Sequence, residues 1–102
     1  DWLMYLYKAY LVRVVNGGLI KATIDLGFGV MLSSMPIHLV NIDAPHGIDG
    51  QKATDYLKTL LPTTFTLKTK MDGSMILGEV QVKGTSINEK MLDSGLVKKF
   101  GG

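Results

Sequence analysis

The amino-acid sequence predicts one domain of mainly β structure with some α, an α+β barrel of five strands with a helix between the third and fourth and a short C-terminal helix. Three observations carry this. The first forty residues hold three strand-like runs separated by glycine-rich turns, residues 51 to 61 switch to helical spacing, and two further strand-like runs then lead to a capping pattern. At 102 residues and 46% hydrophobic content, the chain suits a single domain spanning 1–102 with a small core.

The first strand is expected over "YKAYLVRVV", residues 7 to 15, and the second over "LIKATIDL", 19 to 26, whose apolar and polar residues alternate. Between them "NGG" reads as a hairpin turn, because Asn16 and the glycines tolerate the positive φ of tight turns. A "GFG" turn at 27 to 29 leads into "VMLSSMPIHL", where Pro36 removes one ladder donor and marks an edge or a break. From Gln51 the apolar positions Ala53, Tyr56, Leu57, Leu60 and Leu61 make one helical stripe, with Asp49 as the expected N-cap and Pro62 as the stop. Strands "TFTLKT" at 64 to 69 and "ILGEVQV" at 76 to 82 follow, joined by "MDGS". Ser86 and Glu89 form a capping-box pattern that opens a short helix ended by Gly95. This order is the layout of an OB-type barrel.

Composition narrows the chemistry. No cysteine is present, which excludes disulfides, thiol nucleophiles and thiolate zinc sites. The formal charge of +2 is a weak basic balance, and Arg13 is the single arginine, so phosphate recognition would fall to lysines, mobile point charges without arginine's planar fork. The apolar opening "DWLMYLY" is far short of the roughly 20 residues that span a bilayer and is expected to lead into the first strand, with no membrane contact.

The segments "YLVRVVNGGLIKATIDLGFG", "IHLVNIDAPH", "TLKTKMDGSMILGEVQV" and "INEKMLDSGLVKKFGG" together resemble the staphylococcal nuclease-like (thermonuclease) family. The resemblance runs from about Tyr7 to Gly102. It implies a five-stranded OB barrel and, in active members, calcium-dependent cleavage of phosphodiester bonds in DNA and RNA. It also implies where the chemistry should sit. The family's Asp-Gly-Asp-Thr turn corresponds to Asn16, Gly17, Gly18 and Leu19, which leaves Gly18 at a calcium-ligand position. Its Arg-Leu-(three residues)-Asp-(Thr or Ala)-Pro-Glu segment corresponds to "HLVNIDAPH", retaining Asp43 but placing His38 at the arginine and His46 at the catalytic glutamate. Met75 matches the second catalytic arginine.

These replacements remove what the reaction needs. Phosphate-facing guanidinium groups and a carboxylate-held ion stabilise the charge that grows on the transferring phosphoryl group. Methionine supplies no charge, and imidazole, which changes charge near neutral pH, is a partial substitute for a permanent cation. Calcium takes six to eight oxygen ligands, and Asp43 is one carboxylate. The expectation is therefore a catalytically degenerate nuclease-like domain, without a cofactor, that binds nucleic acid or protein. The competing reading is a calcium-dependent phosphodiesterase with weak or rebuilt activity.

Several residues carry two readings each. His38, Asp43 and His46 either form a new zinc-type site or are, respectively, a barrel-surface residue, an Asx-turn residue accepting backbone N–H groups, and a solvated loop residue. Gly17 and Gly18 either cradle an anion through exposed N–H groups or simply turn the hairpin. Lys68, Lys70 and Lys83, with Lys98 and Lys99 near the C-terminus, are either a nucleic-acid surface or solvated lysines. Trp2, Tyr5, Tyr7 and Tyr10 are either core or an interface used by a protein partner or a second copy of the chain.

Overall fold

A computed structural model describes residues 5–100. Period-two alternation places the core. Strand β1 (Tyr5–Asn16), β2 (Leu19–Gly27) and β3 (Val30–Leu39) form an antiparallel meander, and on β2 the buried residues Ile20, Ala22 and Ile24 alternate with half-exposed Lys21, Thr23 and Asp25. After a two-residue β4 (Ile42–Asp43) and helix α1 (Gly47–Leu60), β5 (Thr64–Asp72) pairs antiparallel with both β1 and β6 (Met75–Val82). Phe65, Leu67 and Thr69 face inward from β5, and Ile76, Gly78 and Val80 from β6. The chain ends in β7 (Thr85–Ser86), helix α2 (Ile87–Asp93) and β8 (Lys98–Lys99), which pairs with β4.

The five long strands run β3-β2-β1-β5-β6 and close where β3 pairs parallel with β6 through Ile37↔Ile76, His38↔Leu77 and Leu39↔Gly78. The expected OB-type barrel with a helix between its third and fourth long strands is the architecture found. Closure needs a residue without a side chain at position 78. A Cβ there would lie 2.7 Å from Ile37 Cγ2 and 2.9 Å from Leu67 Cδ1. The Gly78 carbonyl accepts from the Val40 amide at 2.9 Å and from Asn88 Nδ2 at 3.1 Å. Asn88, only 3% exposed, also donates to the Val40 carbonyl and accepts from the Val80 amide, both at 3.0 Å. One side-chain amide on α2 thus ties together the Val40 carbonyl, the Val80 amide and the Gly78 carbonyl at the closing seam.

Pro36 stands opposite Lys21 on β2, and pairing with β6 begins one residue later. Before it, β3 carries an extra residue between Ala22↔Met35 and Ile24↔Leu32, with Ser34 in the left-handed region (φ 51°) and its N–H donated to Thr23 Oγ1. This bulge bends the strand ahead of the seam.

Helix α1 starts earlier than its spacing predicts. His46, not Asp49, is the N-cap residue, and it makes no side-chain cap bond; Asp49 lies in the first turn, where a carboxylate faces the positive end of the helix dipole. The extra turn needs a residue without a side chain at position 50, where a Cβ would meet the Pro45 carbonyl oxygen at 2.5 Å. Ala53 and Leu57 from the predicted stripe are fully buried, while Tyr56, Leu60 and Leu61 pack at its margin. The helix stops at Leu60 because Leu61, preceding Pro62, is extended. At α2 the cap forms as expected, Ser86 Oγ accepting from the Glu89 amide at 3.2 Å, and Gly95 (φ 77°) ends the last turn.

Two substitutions test the closure. Gly78→Ala should cost about 1–3 kcal/mol by overpacking. Asn88→Ala should cost about 3 kcal/mol, because it strands buried N–H and C=O groups, and should lower the melting temperature by roughly 10–20 °C. Urea melts that shift by less than about 0.5 kcal/mol for both would refute this account of the seam.

Candidate functional site

The residues singled out in the sequence divide between two clefts. His38 projects outward from β3 beside Leu77 of β6, and it lines a cavity of about 280 Å³ with Lys70, Asp72, Met75, Leu77 and Phe100. His38 and Met75 are therefore brought together. Asp43 and His46 line a different cavity of about 530 Å³, between the start of α1 and the C-terminal segment, with Asp49, Lys52, Val97 and Lys98. Among the described residues, no group of three or more His, Cys, Asp or Glu side chains is placed to hold a metal ion. His38, Asp43 and His46, considered as a zinc-type set, do not share one cleft.

Asp43 does not build the Asx turn expected of it. Its backbone pairs with Lys98 in the β4–β8 ladder, and its exposed carboxylate accepts none of the hydrogen bonds found among the described residues. Asx turns occur elsewhere: Asn16 Oδ1 accepts from the Gly18 amide and Asp25 Oδ1 from the Gly27 amide, each at 2.8 Å. Asn41, which the sequence reading passed over, sets the loop's entry. It takes the left-handed backbone (φ 67°) between β3 and β4, and its carbonyl accepts from the Phe100 amide at 2.8 Å. Asparagine's tolerance of that conformation was the available signal.

The Gly17-Gly18 turn also differs from expectation. Neither glycine takes a left-handed backbone. Gly17 is required by packing, because a Cβ there would sit 2.7 Å from the Ala53 Cβ of α1. The Gly18 N–H is occupied by Asn16, and its carbonyl accepts from the Leu39 amide at 2.9 Å. An anion nest would need those amides free. Gly18 faces Ile42 and Ala44 at ordinary contact distance, so the turn still abuts the loop that carries Asp43.

Lys68 and Lys70 lie on the same outer face of β5, which is in regular register with both neighbours. Lys68 stands opposite Leu6 on one side and Glu79 on the other. The Glu79 carboxylate is already engaged by Gln81 Nε2 at 3.2 Å and Ser86 Oγ at 3.0 Å. Lys83 occupies the two-residue β6–β7 turn (φ 51°), at the far end of β6 from Lys70, and lines a trough of about 640 Å³ with Lys8, Thr64, Thr66 and Gln81. Lys8 lies 5.4 Å from the centre of the Tyr10 ring. The lysines thus form a row along the outer sheet face, extended by Lys8, rather than one cluster. Lys98 and Lys99 sit apart from it, in the strand beside β4.

Of the aromatic N-terminal residues, Trp2 lies outside the described residues. Tyr5 and Tyr7 face together as expected, ring centres 6.4 Å apart, Tyr5 exposed and Tyr7 half-buried against the core. No helix among the described residues is long and apolar enough to cross a membrane. No protein-family model matches the chain, and no curated protein matches it.

Replacing the turn glycines separates packing from anion binding. Gly17→Ala should destabilise the fold by about 1–3 kcal/mol through its clash with Ala53, whereas Gly18→Ala should stay within about 0.5 kcal/mol. Equal effects of the two substitutions in denaturant melts would contradict the packing explanation.

Proposed function

We propose that the protein is a catalytically degenerate barrel of the staphylococcal nuclease-like kind that acts by binding nucleic acid or protein. The observation that carries this reading is the content and partition of the resembled family's site. Gly18, His38, His46 and Met75 stand where that family places a ligand carboxylate, an arginine, a glutamate and a second arginine. His38 and Met75 line one cleft, and Asp43 and His46 another. Phosphoryl transfer demands that ion, base and cations converge on one phosphate. Of those groups, only the Asp43 carboxylate has a counterpart in this chain.

For nucleic acid, the supporting feature is the row of Lys68, Lys70, Lys8 and Lys83 spread along the outer sheet face. Each ammonium would contact phosphate without reading sequence. The face presents few free aromatic rings, so base stacking would add little, and affinity would come mainly from counterion release.

Incubation of the purified chain with single-stranded DNA or RNA and millimolar calcium should give no cleavage above a mock preparation. Calcium-dependent cleavage that co-elutes with the folded protein and disappears in Asp43→Ala would instead establish the phosphodiesterase reading. In fluorescence anisotropy with a labelled single strand, affinity should fall with salt, and a Lys68→Ala/Lys83→Ala pair should reduce the log–log slope by about 2. Absence of binding at about 50 mM salt would remove nucleic acid and leave protein as the ligand.

A further inference from the structure

The mouth of the barrel near the β2–β3 hairpin is apolar and open. Tyr5, Tyr7, Ile24, Leu26, Leu32 and Met71, with Thr69 and Lys70 at the β5 wall, line a cup of about 450 Å³ there, floored by Ile76. Beyond its rim, Phe28 stands fully exposed at the hairpin tip, held in the left-handed region (φ 56°) between Gly27 (φ 83°) and Gly29 (φ 75°). A bulky residue rarely takes that backbone, and here it projects an aromatic ring into solvent. Val30 (51% exposed), Met31 and Met71 (55% exposed) continue the apolar surface, and no charged residue occurs from Leu26 to Ile37.

We infer that this end of the barrel is a self-association surface, on which a second copy of the chain docks two-fold, each Phe28 entering the other copy's cup. Knob and cup lie on one molecule: Leu26 and Leu32, which flank the hairpin tip, are themselves cup residues. A cavity of that size admits an aromatic ring, since ligand-sized pockets begin near ~300 Å³. Area also fits. The exposed parts of Tyr5, Phe28, Val30, Met31, Leu32 and Met71 amount to on the order of 600 Å². A standard interface buries about 800 Å² per partner, of which roughly 56–65% is apolar, so this patch supplies the apolar share of a stable dimer. The hairpin that carries Phe28 bears no charge from Leu26 to Ile37, so its entry brings no like charge against Lys70 in the wall of the other copy's cup. The Ser34 bulge and Pro36 limit open-ended edge pairing along β3, which favours a closed pair over a growing sheet.

The test is sedimentation equilibrium of the whole chain from about 1 µM to about 500 µM, a range set to bracket typical micromolar dimers, for the natural sequence, Phe28→Asn and Met71→Ser. Asparagine favours the left-handed backbone, so Phe28→Asn keeps the turn and should not lower the melting temperature of the monomer. The expected result is a monomer–dimer equilibrium for the natural chain whose dissociation constant rises at least tenfold in each variant, with unchanged circular dichroism. A natural chain that stays monomeric throughout overturns the inference, as does a dimer indifferent to both substitutions or an assembly that grows past two copies.

Discussion

The structure depends on how β3 meets β6. Every other pairing among the long strands is antiparallel, but the seam that turns the sheet into a barrel is a three-residue parallel ladder. So short a ladder leaves backbone groups at its margin that water would otherwise satisfy, and burial there is costly unless a partner is supplied. Asn88 is that partner. An amide is the side chain suited to the task, because it donates two hydrogens and accepts at its oxygen. Gly78 admits the approach by carrying no side chain between Ile37 and Leu67. The core, the helix packing and the clefts described above all assume this seam.

The seam also accounts for where the clefts lie. His38 and Leu77 are register partners in the closing ladder, so their side chains emerge together on the outside, and Met75 follows from the same strand. The loop after β3 then turns at Asn41 and is tied to the C-terminal segment by the β4–β8 pair, which sets Asp43 opposite Lys98. Residues five apart in sequence thus end in different surroundings through one left-handed turn and one two-residue ladder.

The long strands were legible because their chemistry is local: Ile20, Ala22 and Ile24 alternate with Lys21, Thr23 and Asp25, and that pattern has one low-energy reading. The Ala53–Leu57 stripe and the Ser86 cap were legible for the same reason. What sequence reasoning missed is set by distant contacts. Asn88 resembles any polar residue in a short helix until Val40 and Gly78 arrive beside it. Gly17 resembled a residue chosen for backbone freedom, whereas Ala53, thirty-six positions later (53 − 17), decides it. The early start of α1 was hidden because Gly47, Ile48, Asp49 and Gly50 carry no helical stripe, and the tight approach of Gly50 to the Pro45 carbonyl shows only in three dimensions. In the candidate site, residue identity was legible and convergence was not, since convergence is a property of loops.

The parallel seam has a kinetic meaning. Its partners Ile37 and Ile76 are thirty-nine positions apart (76 − 37), whereas the β1–β2 and β2–β3 pairs are joined by two-residue turns. Bringing distant segments together costs chain entropy before any contact offsets it, and topologies rich in such pairs fold slowly. The meander can form while the seam is still open, with one edge of β3 and one of β6 exposed at the same time. For as long as that state lasts, residues 37–39 of β3 and 76–78 of β6 lack the strand partners that the shut barrel gives them, and a neighbouring chain can supply them instead.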